Sequence, residues 1–105
     1  MLTREWLTDY IGFKMQFDWD HNKNQKNIEK HGIDFATAVE VFDDNDKIIA
    51  FNRVVDREIR LQVIGQVRNI VVIMLVFTLR DGKNRIISAR PANKKERKQY
   101  YEQND

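Results

Sequence analysis

The sequence predicts a small α+β domain built on a mostly antiparallel sheet. Capping residues and helically spaced apolar residues mark two helices in the first half of the chain, and four strand-like segments follow before a last helix. The 105 residues and the 42 % hydrophobic content suffice for one domain with one core. The predicted order of elements is β-α-α-β-β-β-β-α.

The first strand and the two helices come from capping and periodicity signals. Residues 15–19 alternate between apolar and polar side chains, which is typical of a half-buried strand. Asp20 can cap a helix that runs through Lys30, and Gly32 supplies its left-handed C-terminal stop. Asp34 caps a second helix, whose core-facing stripe is formed by Phe35, Ala38, Val39 and Phe42.

The next four segments have the composition of strands. Residues 47–51 and residues 58–65 are the first two, and in the second of them the odd-numbered side chains should point to the core: Ile59, Leu61 and Val63. The apolar run of residues 70–79 is predicted to be the central strand, covered on both faces. The turn signal Asp81-Gly82 then leads into the last strand, residues 85–89.

A C-terminal helix is predicted from Lys94 onward. Asn93 is its capping residue, and Glu96 follows three positions later, which approximates a capping box. Pro91 breaks the preceding strand just after Arg90, so Arg90 is expected beside this helix, on the sheet face that carries Ile86 and Ser88.

Composition excludes several classes of protein. With no cysteine, disulfides and thiolate zinc sites are excluded, which fits a reducing cytoplasm. The N-terminus carries charges where a secretory signal needs an apolar run, and the longest apolar stretch, residues 70–77, is far shorter than the roughly 20 residues that cross a bilayer. No metal-ligand spacing or glycine-rich phosphate loop is present. We therefore expect a cytoplasmic protein without membrane contact, metal or cofactor.

Charge is distributed unevenly along the chain. Residues 1–52 hold 6 basic and 10 acidic side chains, a net charge of −4, whereas residues 53–105 hold 12 and 6, a net charge of +6. This asymmetry suggests a nucleic-acid-binding face on the C-terminal half. The alternative is that the split reflects only the charge that any protein surface needs.

Several motifs resemble those of one family. These motifs are Trp19-Asp20, Lys23, Asn27 and residues 30–33, then Ile64-Gly65, residues 85–90, Glu96-Arg97 and Tyr100. In this order and at these spacings, residues 15–102 resemble the BrnT toxins, small ribonucleases of bacterial toxin–antitoxin modules. The resemblance implies a fold similar to the RelE-type ribonucleases and a BrnA-like antitoxin with a ribbon-helix-helix domain, in a complex that binds operator DNA.

Residues 1–14 stand apart from the toxin-like domain, residues 15–105. Their apolar side chains are compatible with a short amphipathic helix: Trp6, Leu7, Tyr10, Ile11 and Phe13. The segment is either an additional docking element or the product of an upstream start site, and the sequence does not decide between them.

Metal-free RNA cleavage requires removal of a proton from the 2′-hydroxyl, protonation of the leaving oxygen and cations on the phosphorane. His31 suits the proton transfers because imidazole exchanges protons near neutral pH, although a histidine also serves as a structural cap at a helix end. Glu96 is either a general base or only the capping-box glutamate. Arg90 would bind phosphate or form an ion pair with Glu96 or Asp81. Arg97, which would bind phosphate or stabilise the transition state, and Lys23, which lies in line with His31 and would orient the scissile region, complete the candidate catalytic set.

The candidate RNA-binding residues form a second, broader set. They are Arg60, Arg85, Lys94, Lys95 and Tyr100. The alternatives are that the lysines are solvated helix charges and that one of the neighbouring tyrosines packs on the sheet. The sequence thus favours a ribonuclease toxin that cleaves RNA by metal-independent acid–base catalysis and is neutralised by an antitoxin. A non-catalytic module that grips RNA, DNA or an acidic partner with the same basic face is the alternative.

Overall fold

A computed structural model describes residues 15–103. Five strands form one sheet in the order β1-β5-β4-β3-β2, where only the β1–β5 pair is parallel. The elements are β1 (Phe17–Trp19), α1 (His21–His31), α2 (Phe35–Ala38), a 3₁₀ helix (Val39–Asp43), β2 (Ile48–Val55), β3 (Glu58–Val67), β4 (Val71–Arg80), β5 (Lys83–Pro91) and α3 (Lys94–Glu102). The predicted α+β class and mostly antiparallel sheet are confirmed. Residues 1–14, for which an amphipathic helix was predicted, lie outside the described residues.

The central position predicted for the long apolar strand is confirmed, and the sheet has a hydrophobic core on each face. One core lies under α1, α2 and the 3₁₀ helix, and alternate residues of β4 contribute to it: Ile73, Leu75 and Phe77. The other core lies under α3 and takes the intervening residues: Val72, Met74 and Val76. We call these the α1 face and the α3 face of the sheet.

Three tight turns join the four antiparallel strands. The residues at their centres have positive φ angles: Asp56 and Arg57, Arg68 and Asn69, and Asp81 and Gly82. Two successive left-handed residues give a turn whose twist matches that of the flanking strands. This geometry lets β2 extend to Val55, four residues beyond its predicted end.

The second predicted helix is shorter than its stripe of apolar residues implied. After one turn of α-helix the backbone tightens into the 3₁₀ helix, and this buries both Val41 and Phe42. The tighter winding also brings the following loop onto β3, where Asp44 Oδ2 accepts a 2.7 Å hydrogen bond from the Gln66 N–H. Contact with the sheet therefore decides the winding here, which apolar spacing alone does not reveal.

Gly65 allows that loop to approach the sheet closely. A Cβ atom at this position would lie 2.9 Å from Val41 Cγ2 and 3.0 Å from Asp44 Oδ2. Such distances are too short for ordinary packing, so a side chain at position 65 would push the loop away. The Ile64-Gly65 motif therefore has a steric explanation.

One predicted burial and one predicted orientation are wrong, since Ile59 points to the expected face but is not covered there. Ile59 is 58 % exposed, because α1, α2 and the 3₁₀ helix end before they reach its part of the sheet. Ile86 also lies on the face opposite Arg90. A β-bulge causes the second error: Val76 pairs with Ser88 but Phe77 pairs with Ile86, so Ile87 is one extra residue. The extra residue reverses the alternation, and Arg90 shares the α3 face with its partner Met74.

The short strand β1 leaves the upper edge of β5 without a partner strand, and Asn27 of α1 covers it. The Asn27 side chain accepts a 3.1 Å hydrogen bond from the Ala89 N–H and donates a 2.8 Å one to the Ala89 carbonyl. It also donates to the Ile33 carbonyl at 2.9 Å. These bonds satisfy backbone groups that a neighbouring strand would otherwise pair, and they fix α1 against β5.

We predict that Asn27→Ala lowers the free energy of unfolding by at least about 2 kcal/mol, because it leaves buried backbone groups of Ala89 unsatisfied. Asn22→Ala, an exposed position on the same helix, is the matched control and should change it by less than about 0.5 kcal/mol. Urea unfolding measures both. Equal midpoints for the two variants would show that the Asn27 bonds do not hold α1 in place.

Candidate functional site

The junction between β5 and α3 holds the most tightly organised polar cluster near the predicted site. Arg90 Nη1 and Nη2 lie 2.8 and 2.9 Å from the two carboxylate oxygens of Glu96, a bidentate ion pair. Glu96 also completes the capping box, in which its Oε1 accepts from the Asn93 N–H and Asn93 Oδ1 accepts from the Glu96 N–H. Both structural roles considered for these residues, the cap and the ion pair, are therefore present together.

This pairing controls the protonation of Glu96. Its hydrogen bonds with Arg90 hold the pKa of the Glu96 carboxyl below its ordinary value of 4.5, against the opposing effect of burial. The same hydrogen bonds raise the pKa of Arg90. Because an efficient general base has a pKa near the working pH, Glu96 is a weak base for as long as it holds Arg90.

Basic side chains surround the start of α3. Arg97 Nη1 donates a 2.7 Å hydrogen bond to the Ala92 carbonyl, and this contact anchors it to the junction. Lys94 and Lys95 are exposed in the first turn. The N-terminus of a helix carries partial positive charge, so two lysines there oppose the helix dipole and make the junction attractive to anions.

His31 and Lys23 lie on α1, and neither side chain makes a hydrogen bond or ion pair with the described residues of the junction. The helix starts just after Trp19, which pairs with Ile86, and by Asn27 it has reached Ala89. The last residue of the helix, His31, is half-buried and lies one turn further in the same direction, toward the Arg90 end of β5. Lys23 is exposed two turns earlier, about 12 Å back along the helix axis. The structure thus brings His31 and the junction to the same end of β5, and leaves Lys23 further away.

Arg60 and Arg85 lie on the α3 face. Arg85 of β5 pairs with Thr78 of β4. On the other side of β4, Leu61 of β3 pairs with Phe77, so Arg60 lies next to Thr78. The two arginines therefore flank the same buried threonine. The Arg60 side chain is only 12 % exposed and contacts Glu58 at 3.3 Å. Arg85 Nη1 lies 3.5 Å from Asp18 Oδ2, longer than a typical charged hydrogen bond. A weak partner leaves Arg85 available to a stronger anion.

Two further arginines on this face were not among the sequence candidates. Arg53 pairs with Arg60 across the β2–β3 hairpin, is exposed, and has no hydrogen-bonding or ionic partner within residues 15–103. Arg80 makes a bidentate pair with Glu58 at 3.0 and 2.9 Å. The position of Arg53 opposite Arg60 could have been predicted from a hairpin turn at Asp56-Arg57, because a two-residue turn fixes the register of both strands. We call Arg53, Arg60, Arg80, Arg85 and Arg90 the arginine surface.

The two neighbouring tyrosines have different environments. Tyr100 is 5 % exposed, and its hydroxyl donates a 2.6 Å hydrogen bond to Asp44 Oδ2. Burial and this bond to a carboxylate raise the pKa of the Tyr100 hydroxyl. Tyr101 is 55 % exposed. The Tyr100 ring therefore packs in the core of the α3 face, and Tyr101 supplies the exposed aromatic surface.

The arrangement offers fixed cations at the junction and an imidazole at the same end of β5, which suit the binding of a phosphodiester. Among residues 15–103, no group of three or more histidine, aspartate or glutamate side chains is arranged to hold a metal ion. No helix in this part of the chain is long and apolar enough to cross a membrane.

Comparison with known proteins identifies the family. The profile of the family described as "Ribonuclease toxin, BrnT, of type II toxin-antitoxin system" matches residues 19–96. Among solved structures, that of the Brucella abortus ribonuclease toxin BrnT is similar, with a TM-score of 0.58 and 27 % sequence identity over 77 % of this chain and 100 % of that one. No curated protein gave a significant sequence match. The profile covers most of the described chain, including α1, strands β2 to β5 and the junction, and this chain therefore belongs to the BrnT family of ribonuclease toxins from type II toxin–antitoxin systems.

Proposed function

We propose that this protein is a toxin that cleaves RNA in the cytoplasm by metal-independent acid–base catalysis, with its active site at the β5–α3 junction. The observation that carries the proposal is the bidentate Arg90–Glu96 pair, set at the positive end of α3 on the sheet face that carries the arginine surface. We also propose that the sheet and its C-terminal helix are arranged as in the RelE-type ribonucleases, which superposition on such an enzyme would test.

In this mechanism Arg90 and Arg97 stabilise the phosphorane, and His31 transfers a proton. The guanidinium of Arg90 can present two parallel N–H groups to a phosphate, as it does to Glu96. A phosphate that draws Arg90 away removes the interaction that lowers the pKa of Glu96. Glu96 would then become a stronger base near the 2′-hydroxyl, so substrate binding itself would activate the base.

The arginine surface and the first turn of α3 would bind the rest of the RNA. Arg60 and Arg85 would contact phosphates along the sheet, and Lys94 and Lys95 would do so along the helix. Lys23 would orient the RNA near the cleaved bond. We assign base stacking to Tyr101, since the Tyr100 ring is buried.

The alternative function is an RNA- or DNA-binding module without catalysis. One observation favours it: Glu96 is fully engaged by Arg90 and Asn93, which leaves no free carboxylate at the junction. The two functions differ in outcome, because a binding module retains RNA intact whereas a ribonuclease shortens it.

The first prediction concerns the products of the reaction. RNA incubated with the purified chain should be cleaved equally well in excess EDTA, and the fragments should end in 2′,3′-cyclic phosphates, because the 2′-hydroxyl is the nucleophile. Gel electrophoresis measures the extent of cleavage, and mass spectrometry identifies the ends of the fragments. A mock purification from cells that lack the protein controls for contaminating nucleases. Activity that EDTA removes and magnesium restores would contradict the mechanism.

The second prediction concerns the residues. Arg90→Ala and His31→Ala should each lower the cleavage rate about a hundred- to a thousandfold, as loss of an aimed donor at a developing oxyanion does. Lys98→Ala, an exposed cation on the same helix as Glu96, is the matched control and should only weaken RNA binding slightly.

A thermal melt of each variant separates chemistry from folding. If Arg90→Ala cleaves normally, or if its rate falls only in step with its melting temperature, Arg90 is structural and the active site lies elsewhere. Glu96→Gln distinguishes the roles of the carboxylate: a loss as large as that of Arg90→Ala supports the base, and a small loss supports a positioning role.

A third prediction concerns the antitoxin. We propose a BrnA-like partner with a ribbon-helix-helix domain, which covers the arginine surface while the complex binds operator DNA. Association of the two proteins should therefore slow as salt rises, because opposite charges speed their encounter. Stopped-flow mixing at several salt concentrations measures this rate. A salt-independent rate, or a complex that leaves Arg90 and Arg97 open, would show that the partner binds another surface.

A further inference from the structure

The α1 face of the sheet exposes large apolar side chains at one end. Phe51, Val54, Ile59 and Leu79 are 62 %, 57 %, 58 % and 66 % exposed. We call these four residues the apolar patch. They belong to three adjacent strands, β2, β3 and β4, at the end of the sheet that α1, α2 and the 3₁₀ helix do not reach.

Strand register places the four side chains next to one another. Val54 pairs with Ile59, and Phe51 pairs with Leu61, which packs against the α1-face core. Leu61 in turn pairs with Phe77, so Ile59 and Leu79 are neighbours two residues further along the same two strands. Directly opposed side chains in a sheet lie about 5 Å apart, so the patch is continuous. Isolated apolar residues on a surface are ordinary, whereas a continuous set marks a surface that something covers.

The first described strand, β1, joins the sheet beside this patch. Phe17 pairs with Asn84 on β5, and Asn84 pairs with Leu79 on β4. Phe17 and Leu79 therefore lie in one row across the sheet, about two strand spacings or 10 Å apart. Phe17 also packs into the α1-face core, so its side chain lies on the same face of the sheet as the patch.

The composition of residues 1–14 complements the patch. Their large apolar side chains recur at helical spacing, and Asp9 is the one charged residue among them: Trp6, Leu7, Tyr10, Ile11 and Phe13. A helix of ten residues is about 15 Å long, close to the width of three strands. The segment is thus long enough to cross β4, β3 and β2 from its attachment point.

We propose that residues 1–14 dock across the apolar patch of their own chain, as a cover for the end of the sheet that the helices leave open. The segment lies outside the family profile, which begins at residue 19, so this cover is an addition to the toxin domain. It occupies the face opposite the arginine surface and leaves the RNA-binding face free. The inference rests on strand register and sequence, and does not depend on the proposed catalysis.

Cysteine cross-linking in the full chain tests the proposal, because the natural sequence contains no cysteine. Gly12→Cys combined with Leu79→Cys places one thiol in the segment and one in the patch. Gly12→Cys combined with Ile70→Cys is the matched control, since position 70 is exposed at the opposite end of β4, about 30 Å away. A short bismaleimide should join the first pair within one chain at least about ten times faster than the second, but the attachment of the segment at Phe17 already favours the first pair, so the decisive comparison is the one in which the patch is disrupted.

A lysine in the patch should then undo the effect. Added to the first pair, Ile59→Lys should slow cross-linking about tenfold, whereas Val71→Lys, an exposed position at the far end of β4, should leave the rate unchanged. Circular dichroism melts confirm that each variant is folded. Equal rates for the two cysteine pairs, or no effect of Ile59→Lys, would overturn the proposal. Cross-links that form only between chains and increase with protein concentration would overturn it in favour of a second copy.

Discussion

The β-bulge at Ile87 and the Asn27 side chain together control how the edge strand β5 presents its residues. The bulge adds one residue between the partners of Val76 and Phe77, and this moves Arg90 onto the face that α3 covers. Without it, Arg90 would point into the α1-face core, where a guanidinium has no partner. The same shift turns the backbone of Ala89 outward, where Asn27 binds it. One inserted residue therefore orients the arginine and creates the attachment point for α1.

Local signals in the sequence were sufficient to predict most of the helices and strands. Asp20, Asp34 and Asn93 each cap a helix through a side-chain oxygen, and the caps depend only on residues two or three positions away. The bulge, the 3₁₀ helix and the exposure of Ile59 depend on contacts between distant segments. No local pattern determines them, because they result from how the helices fit onto the sheet.

The candidate site also contains some features that local sequence predicts and others that depend on distant contacts. The capping box was readable from Asn93 and Glu96, since both partners lie in one turn. The burial of Tyr100 could not be predicted from local sequence, because its hydrogen-bond partner Asp44 lies 56 residues earlier in the chain. Sequence reasoning left open whether Arg90 binds an ion partner or a phosphate. The structure contains the ion pair, and the proposed mechanism uses it as the resting state that a phosphate replaces.

The parallel pairing of β1 with β5 has a consequence for how the chain is made. Strands β2 to β5 follow one another through tight turns, so each hairpin can form as soon as its second strand is synthesised. Phe17, in contrast, must wait for Asn84, a partner 67 residues later. We expect β1, the first of the described strands to be synthesised, to join the sheet last, after β5 has left the ribosome. A ribosome that translates this protein would then finish nearly the whole chain before any ribonuclease fold exists beside it.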